Sequence, residues 1–331
     1  LSLHDALPIC TAYANNTMKK VCDINNLTHI ALWGPAHEIG HINQIRPGAK
    51  WHGMTEVTNN IYCLYVQDAF GLTTRLQKET ERPTNMYDDC WYERAMTEYF
   101  SKGLAHNGNR INHCRLVPFW QLYLYYCKVK GELDFYKDLY ELIRTSPDPN
   151  TSGECQLEFV KKACAVAKTD LTPFFEKFGF LKPIKLEIND YGKKIFEVTA
   201  ADIAKTYKEI KDQKYPKLQV PFWYISDNTV DLFKNPQPIV VGKAVCKGNT
   251  FTMTDWENVV AYEIFQNGKL VFVSPLNRFT VENVTVDAKT KVYAIGANGK
   301  RKKVNFQWTE DPEQQKNMKE RELKYKNMYN R

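Results

Sequence analysis

No stretch of the 331 residues approaches the roughly 18–20 consecutive apolar residues that a membrane-spanning helix requires. No Cys-x-x-Cys pair occurs among the nine cysteines, Cys10, Cys22, Cys63, Cys90, Cys114, Cys127, Cys155, Cys164 and Cys246, so a zinc ribbon or a thioredoxin-type redox centre has no support. In a chain this long, an odd set of cysteines reads as mostly buried free thiols, with one or two disulfides open if the protein is exported. No element gathers Lys and Arg into the basic stripe of a nucleic-acid site. The formal charge of +7 is spread along the chain, with a modest surplus near its end. A secretory signal peptide, a starting Met and internal repeats are all missing. Residues 1–9, Leu1 to Ile9, show neither amphipathic period nor capping residues, and we expect a non-native or mis-assembled start there. The missing leader therefore says nothing about export.

What is present suffices for two domains and a sizeable core without disulfides to hold it. From about 35 to 180 the apolar period is predominantly helical. Pro35 fits the first turn of a helix that Pro47-Gly48 ends, and Thr55 reads as the N-cap of the next one. A further amphipathic helix is expected from Tyr87 to Ala105. Leu116 to Lys130, apolar on nearly every side, is expected to be a buried helix. A short strand near Ile184 to Ile188 precedes a helix capped by Thr199. After Asn235-Pro236-Gln237-Pro238 the pattern changes to five short β-branched and aromatic runs separated by turns such as Gln266-Asn267-Gly268, which suggests a small β-sandwich. The expected fold class is α+β, a mainly helical domain over 10–232, then a β-sandwich over 236–300 and a polar charged tail over 301–331.

The chemistry concentrates in Trp33-Gly34-Pro35-Ala36-His37-Glu38-Ile39-Gly40-His41. On a helix His37 and His41 stand one turn apart on one face, so both imidazoles can reach one metal ion with Glu38 beside them. This is the His-Glu-x-x-His arrangement of a zinc hydrolase; the bland alternative is a structural His pair on a core helix. A catalytic zinc takes three protein ligands and keeps one position open. Glu56, with positions 42–55 between it and His41, falls where the next helix would deliver a third ligand, and His52 and Asp68 are the alternatives. Asn60 lies one turn beyond Glu56 and is placed to orient a ligand from behind. His52 falls on the connecting loop and can instead face a substrate. An electrophilic donor for a tetrahedral intermediate would come from His106, His113, Arg115 or one of the tyrosines between 87 and 126. Trp33, Trp51 and Trp120 are either core residues or the exposed indoles of a sugar-binding cleft.

The run from Trp33 through Gln44, then Glu56-Val57-Thr58-Asn59-Asn60-Ile61-Tyr62, and later Pro118-Phe119-Trp120-Gln121-Leu122-Tyr123, resembles the enhancin-like zinc metallopeptidases. This gluzincin family includes viral enhancins and mucin-degrading O-glycopeptidases of gut bacteria, and the likeness covers most of residues 10–232. It implies a secreted or cell-surface monomer that holds one zinc ion and cleaves mucin-type glycoproteins beside O-glycosylated Ser or Thr. By the same resemblance His37, His41 and Glu56 would be the zinc ligands and Glu38 the general base. Trp33, Trp51, His52, His113, Arg115 and Trp120 are the candidates for substrate contact. The downstream β-region resembles the family's accessory sandwich, and the family's usual sequence ahead of the motif is expected to be missing. A non-catalytic mucin glycan-binding protein and a zinc peptidase indifferent to glycans are the competing expectations.

Overall fold

The computed structural model describes residues 15–77, 90–282, 284–314, 316 and 320. The expected irregular start at 1–9, Cys10, the first part of the helix expected from Tyr87, and most of the charged tail lie outside the described residues. The chain divides into two compact units, one formed by Leu1–Arg75 with Ala105–Leu218, the other by Leu76–Leu104 with Gln219–Arg331.

Among its described residues the first unit is helical apart from one hairpin and an isolated bridge between Asp170 and Lys217. Helix α1, Trp33–Asn43, has Pro35 in its first turn, where the absent N–H removes no helical bond. It stops at Asn43, ahead of Pro47. A turn then leads into α2, Thr55–Thr58, and α3, Asn60–Ala69. Thr55 is not the cap that the sequence suggests: it is the first helical residue, and its hydroxyl donates to Asp190 at 2.9 Å. Helix α4, Asn112–Tyr123, is buried continuously from Cys114 to Leu122, as its all-round apolar composition requires. Trp51 packs on Phe119 and Phe159, and Phe119 packs on Phe180. Each fully buried Phe in such a core contributes about 1.5–3 kcal/mol.

Helix α5, Ser152–Ala167, opens with a capping box from Thr151 and Glu154, and α6, Ala200–Asp212, with one from Thr199 and Asp202. Strands β1, Ile184–Asn189, and β2, Lys193–Val198, pair antiparallel from Ile184↔Val198 to Asn189↔Lys193, which leaves Asp190, Tyr191 and Gly192 as the loop. A Cβ on Gly153 would stand 1.8 Å from the carbonyl oxygen of Glu197, so α5 lies directly on β2. The sequence shows β1 but conceals β2, because only Phe196 and Val198 of Lys-Lys-Ile-Phe-Glu-Val are buried.

In the second unit, Trp91–Met96 is α-helical and Thr97–Ser101 continues it as a π-helix. Eight strands follow: β3 Lys243–Lys247, β4 Thr250–Thr254, β5 Ala261–Gln266, β6 Lys269–Ser274, β7 Arg278–Thr280, β8 Lys291–Ile295, β9 Arg301–Val304 and β10 Gln307–Thr309. They form two sheets, ordered β10-β3-β4-β7 and β6-β5-β8-β9, which share a core including Phe251, Tyr262, Phe272 and Phe279. Among the described residues the expected sandwich has eight strands instead of five. Sheet pairing continues past Lys300, because Val304 and Trp308 pack on the core while Arg301, Lys302 and Lys303 stay in water. The fold class is α+β with a C-terminal β-domain. The eight described cysteines are free thiols, all buried except Cys22. Among the described residues no helix is long and apolar enough to cross a membrane.

Candidate metal centre

The site depends on how closely α1 approaches the segment that follows α2. A Cβ on Gly40 would lie 2.2 Å from the carbonyl oxygen of Asn59. Only glycine permits that approach, which sets the imidazoles of His37 and His41 against residues 56–60. Glu56 occupies a kink in α2, with φ −97° and ψ 23°.

His37 Nε2 lies 3.0 Å from Glu56 Oε2, and His41 Nε2 lies 3.5 Å from the same oxygen. The two Nε2 atoms are 3.1 Å apart. Ligand atoms bonded at 2.0–2.1 Å to a tetrahedral zinc stand roughly 3.3 Å from one another. Both the separations and the chemistry of two imidazoles and one carboxylate therefore fit that ion. The described residues hold this one cluster of metal-ligating type.

Each ring is held from behind. His37 Nδ1 is 2.8 Å from Asn60 Oδ1, and His41 Nδ1 is 3.2 Å from Gln44 Oε1. An amide oxygen accepts the Nδ1 proton and so turns Nε2 toward the shared point. The amides are anchored in turn. Asn60 Nδ2 donates to the Glu56 carbonyl at 3.0 Å, and Gln44 Nε2 donates to Thr58 Oγ1 at 2.8 Å and to the Thr55 carbonyl at 3.1 Å. Buried Asn59 brings its amide nitrogen to 3.0 Å from His37 Nδ1 and 3.1 Å from His41 Nε2.

Burial opposes charge on both partners of the His37–Glu56 pair, yet the hydrogen bonds win. Burial by itself would lift the Glu56 carboxyl, but bonds from His37, His41 and Tyr191 hold it well below the usual carboxylate range. Burial would likewise lower His37, and its bonds to Glu56 and Asn60 raise it above 6.5 instead. Glu38 is half-buried next to His37, and its charge acts on His37 and on Tyr191.

Of the three third-ligand candidates, Glu56 alone reaches the histidine pair. His52 Nε2 is 2.9 Å from the Ile188 carbonyl, and Asp68 pairs with Lys128 at 2.8 Å and accepts from Tyr123 at 3.1 Å. Trp51 and Trp120 take the core alternative and so are not available as substrate-contact indoles: they are 1% and 0% exposed. His106 and Arg115 are also too enclosed to meet a tetrahedral intermediate. His106 stacks on Phe180 at 3.9 Å, and Arg115 donates to the Gly53 carbonyl at 2.5 Å and to Asn112 Oδ1 at 2.6 Å. Trp33 and His113 are half-buried with ring centroids 6.0 Å apart, and the Arg75 guanidinium lies over Trp33 at 4.0 Å. Three residues at the centre, Gln44, Asn59 and Tyr191, carry no sequence expectation. Tyr191 donates to Glu56 Oε1 at 2.6 Å.

Known proteins share this arrangement of helices. Residues 2–179 match the family model described as Peptidase M60, enhancin and enhancin-like, and residues 243–303 match that of the Peptidase M60 C-terminal domain. A metallopeptidase from Bacteroides thetaiotaomicron superposes with a TM-score of 0.65 at 25% identity, over 88% of this chain and 52% of that one. A metallopeptidase in complex with Tn antigen gives a TM-score of 0.62 at 26% identity, over 82% of this chain and 54% of that one. TRPM8 channel-associated factor 2 of Homo sapiens is 27% identical over 192 residues, 57% of this chain and 19% of its own length. The chain thus spans about half of each of these two solved chains and a smaller share of the human protein. With more than half of its length matched to the peptidase model, the chain belongs to the Peptidase M60, enhancin and enhancin-like, family.

Proposed function

We propose that this chain is a zinc-dependent endopeptidase acting on O-glycosylated, mucin-type proteins, with His37, His41 and Glu56 as metal ligands and Glu38 as general base. The observation that carries the reading is the convergence of His37 Nε2, His41 Nε2 and Glu56 Oε2 at 3.0–3.5 Å from one another. When bound, zinc supplies Lewis acidity toward the scissile carbonyl and acidifies water. The chain's own part is proton transfer. Glu38 takes a proton from the attacking water onto its carboxylate as the C–O bond forms, and returns it to the leaving nitrogen as the C–N bond breaks. Asn60 and Gln44 keep each imidazole in the tautomer whose Nε2 lone pair is available.

Preference for a glycosylated substrate is supported by the structural relative solved with Tn antigen, a glycan antigen. Trp33, His52 and His113, all half-buried, remain the substrate-contact candidates. In this reading residues 10–232 carry the activity, 236–300 form an accessory sandwich, and the protein works as a monomer outside the cell or on its surface. Digestion of one peptide with and without its O-glycan, read by mass spectrometry, tests the assignment. The expected result is cleavage of the glycosylated form only, abolished by Glu38→Gln. Equal cleavage of both forms would reduce the function to a general metallopeptidase. Glycan binding that survives chelation, without cleavage, would make the chain a binding protein.

A further inference from the structure

The hairpin β1–β2 is joined to the segment leading into the metal centre through three successive contacts. His52 Nε2 meets the Ile188 carbonyl at 2.9 Å. Asp190 Oδ2 accepts from the Gly53 N–H at 2.7 Å and from Thr55 Oγ1 at 2.9 Å. Tyr191 then donates to Glu56 Oε1 at 2.6 Å. The hairpin and the Glu56 segment therefore run side by side, and the last contact falls on the carboxylate itself.

Neither packing nor backbone preference accounts for a tyrosine at position 191. Its φ is +55°, a left-handed conformation that glycine or asparagine adopts at lower cost, and the side chain is 63% exposed. Strained residues of this kind persist where their surroundings fix them, and here the tyrosine hydroxyl is bonded to the Glu56 carboxylate. A carboxylate that turns one oxygen toward two imidazoles leaves the other in need of a donor. With Oε1 held by Tyr191, rotation that would take Oε2 away from His37 and His41 is opposed.

We propose that Tyr191 is a positioning residue for the metal-binding carboxylate of Glu56, with Asp190 anchoring the hairpin tip that carries it. The inference rests on the zinc-peptidase reading, in that Glu56 must be a ligand. An outer hydrogen-bond partner of a metal ligand is typically worth about 10–100-fold in metal affinity.

The test is Zn2+ affinity of the full chain by competition with a chromogenic chelator. Tyr191→Phe, which removes only the hydroxyl of an exposed ring, is expected to bind zinc about 10–100-fold more weakly without loss of thermal stability in the metal-free protein. Asp190→Ala should weaken binding in the same direction, and the double variant should lose less than the two single losses multiplied together. In a Glu56→Gln background Tyr191→Phe should have no further effect, whereas a residue that merely supports the fold would act equally in both backgrounds. Wild-type zinc affinity in Tyr191→Phe would overturn the inference and leave the metal centre standing. Absence of zinc binding by the wild-type chain would overturn the metal centre and this role with it.

Discussion

His37 Nδ1 and Asn60 Oδ1 are 2.8 Å apart, although 23 positions separate them in the chain. Asn60 begins α3, and its own amide nitrogen is tied to the Glu56 carbonyl at 3.0 Å. One side chain thus aligns the first ligand and braces the backbone of the third. Asn60→Ala is expected to lower zinc affinity about 10–100-fold, and Gln44→Ala to act similarly through His41. Chelator competition measures both, and unchanged affinity in both variants would remove the orienting role of the amides.

Gly40 has no room for a side chain. Gly40→Ala drives a methyl group into the Asn59 carbonyl, 2.2 Å from the Cβ position, and backbone cannot yield as a flexible side chain can. We expect a loss of at least about 1–3 kcal/mol, the usual cost of overpacking, together with weaker zinc binding because α1 must shift away from Glu56. Urea unfolding of the metal-free protein gives the first quantity. Stability equal to wild type would show that the close approach of α1 does not set the ligand geometry.

The thiols should separate by reactivity. Burial pushes Cys90, Cys164 and Cys246 up to about 12, and Cys63 higher still, whereas Cys22 is exposed. The thiolate is the reactive form, so alkylation near pH 8 should modify Cys22 and leave these four intact until the protein unfolds. Peptide mapping after labelling reads the sites, and rapid native modification of Cys63 or Cys164 would contradict the packing around them.

Much of the centre was legible because helical spacing is rigid. His37 and His41 must share a face, and Glu56 and Asn60 repeat that spacing on the next segment. The kink at Glu56 was not legible, because no residue pattern marks it, nor was the diversion of Thr55 from capping to Asp190, since that partner lies 135 positions away. Tyr191 escaped notice for the same reason: a left-handed loop residue has no periodicity to mark it. Trp51 and Trp120 show the opposite difficulty, because an indole suits a core and a sugar-binding cleft equally, and only burial decides between them. In the β-domain, Thr250–Thr254 and Arg301–Val304 were hidden by their polar outward faces, although Phe251, Met253 and Val304 carry the inward alternation.

The central claim is that His37, His41 and Glu56 hold a zinc ion beside a proton-transferring Glu38. Metal analysis of the purified wild-type and Glu38→Gln proteins, paired with a mucin cleavage assay on the same samples, tests it most directly. The account predicts about one zinc per chain in both proteins and cleavage by the wild type only, since Glu38 moves a proton and does not ligate the metal. Zinc far below one equivalent in the wild type, or undiminished cleavage by Glu38→Gln, would contradict it.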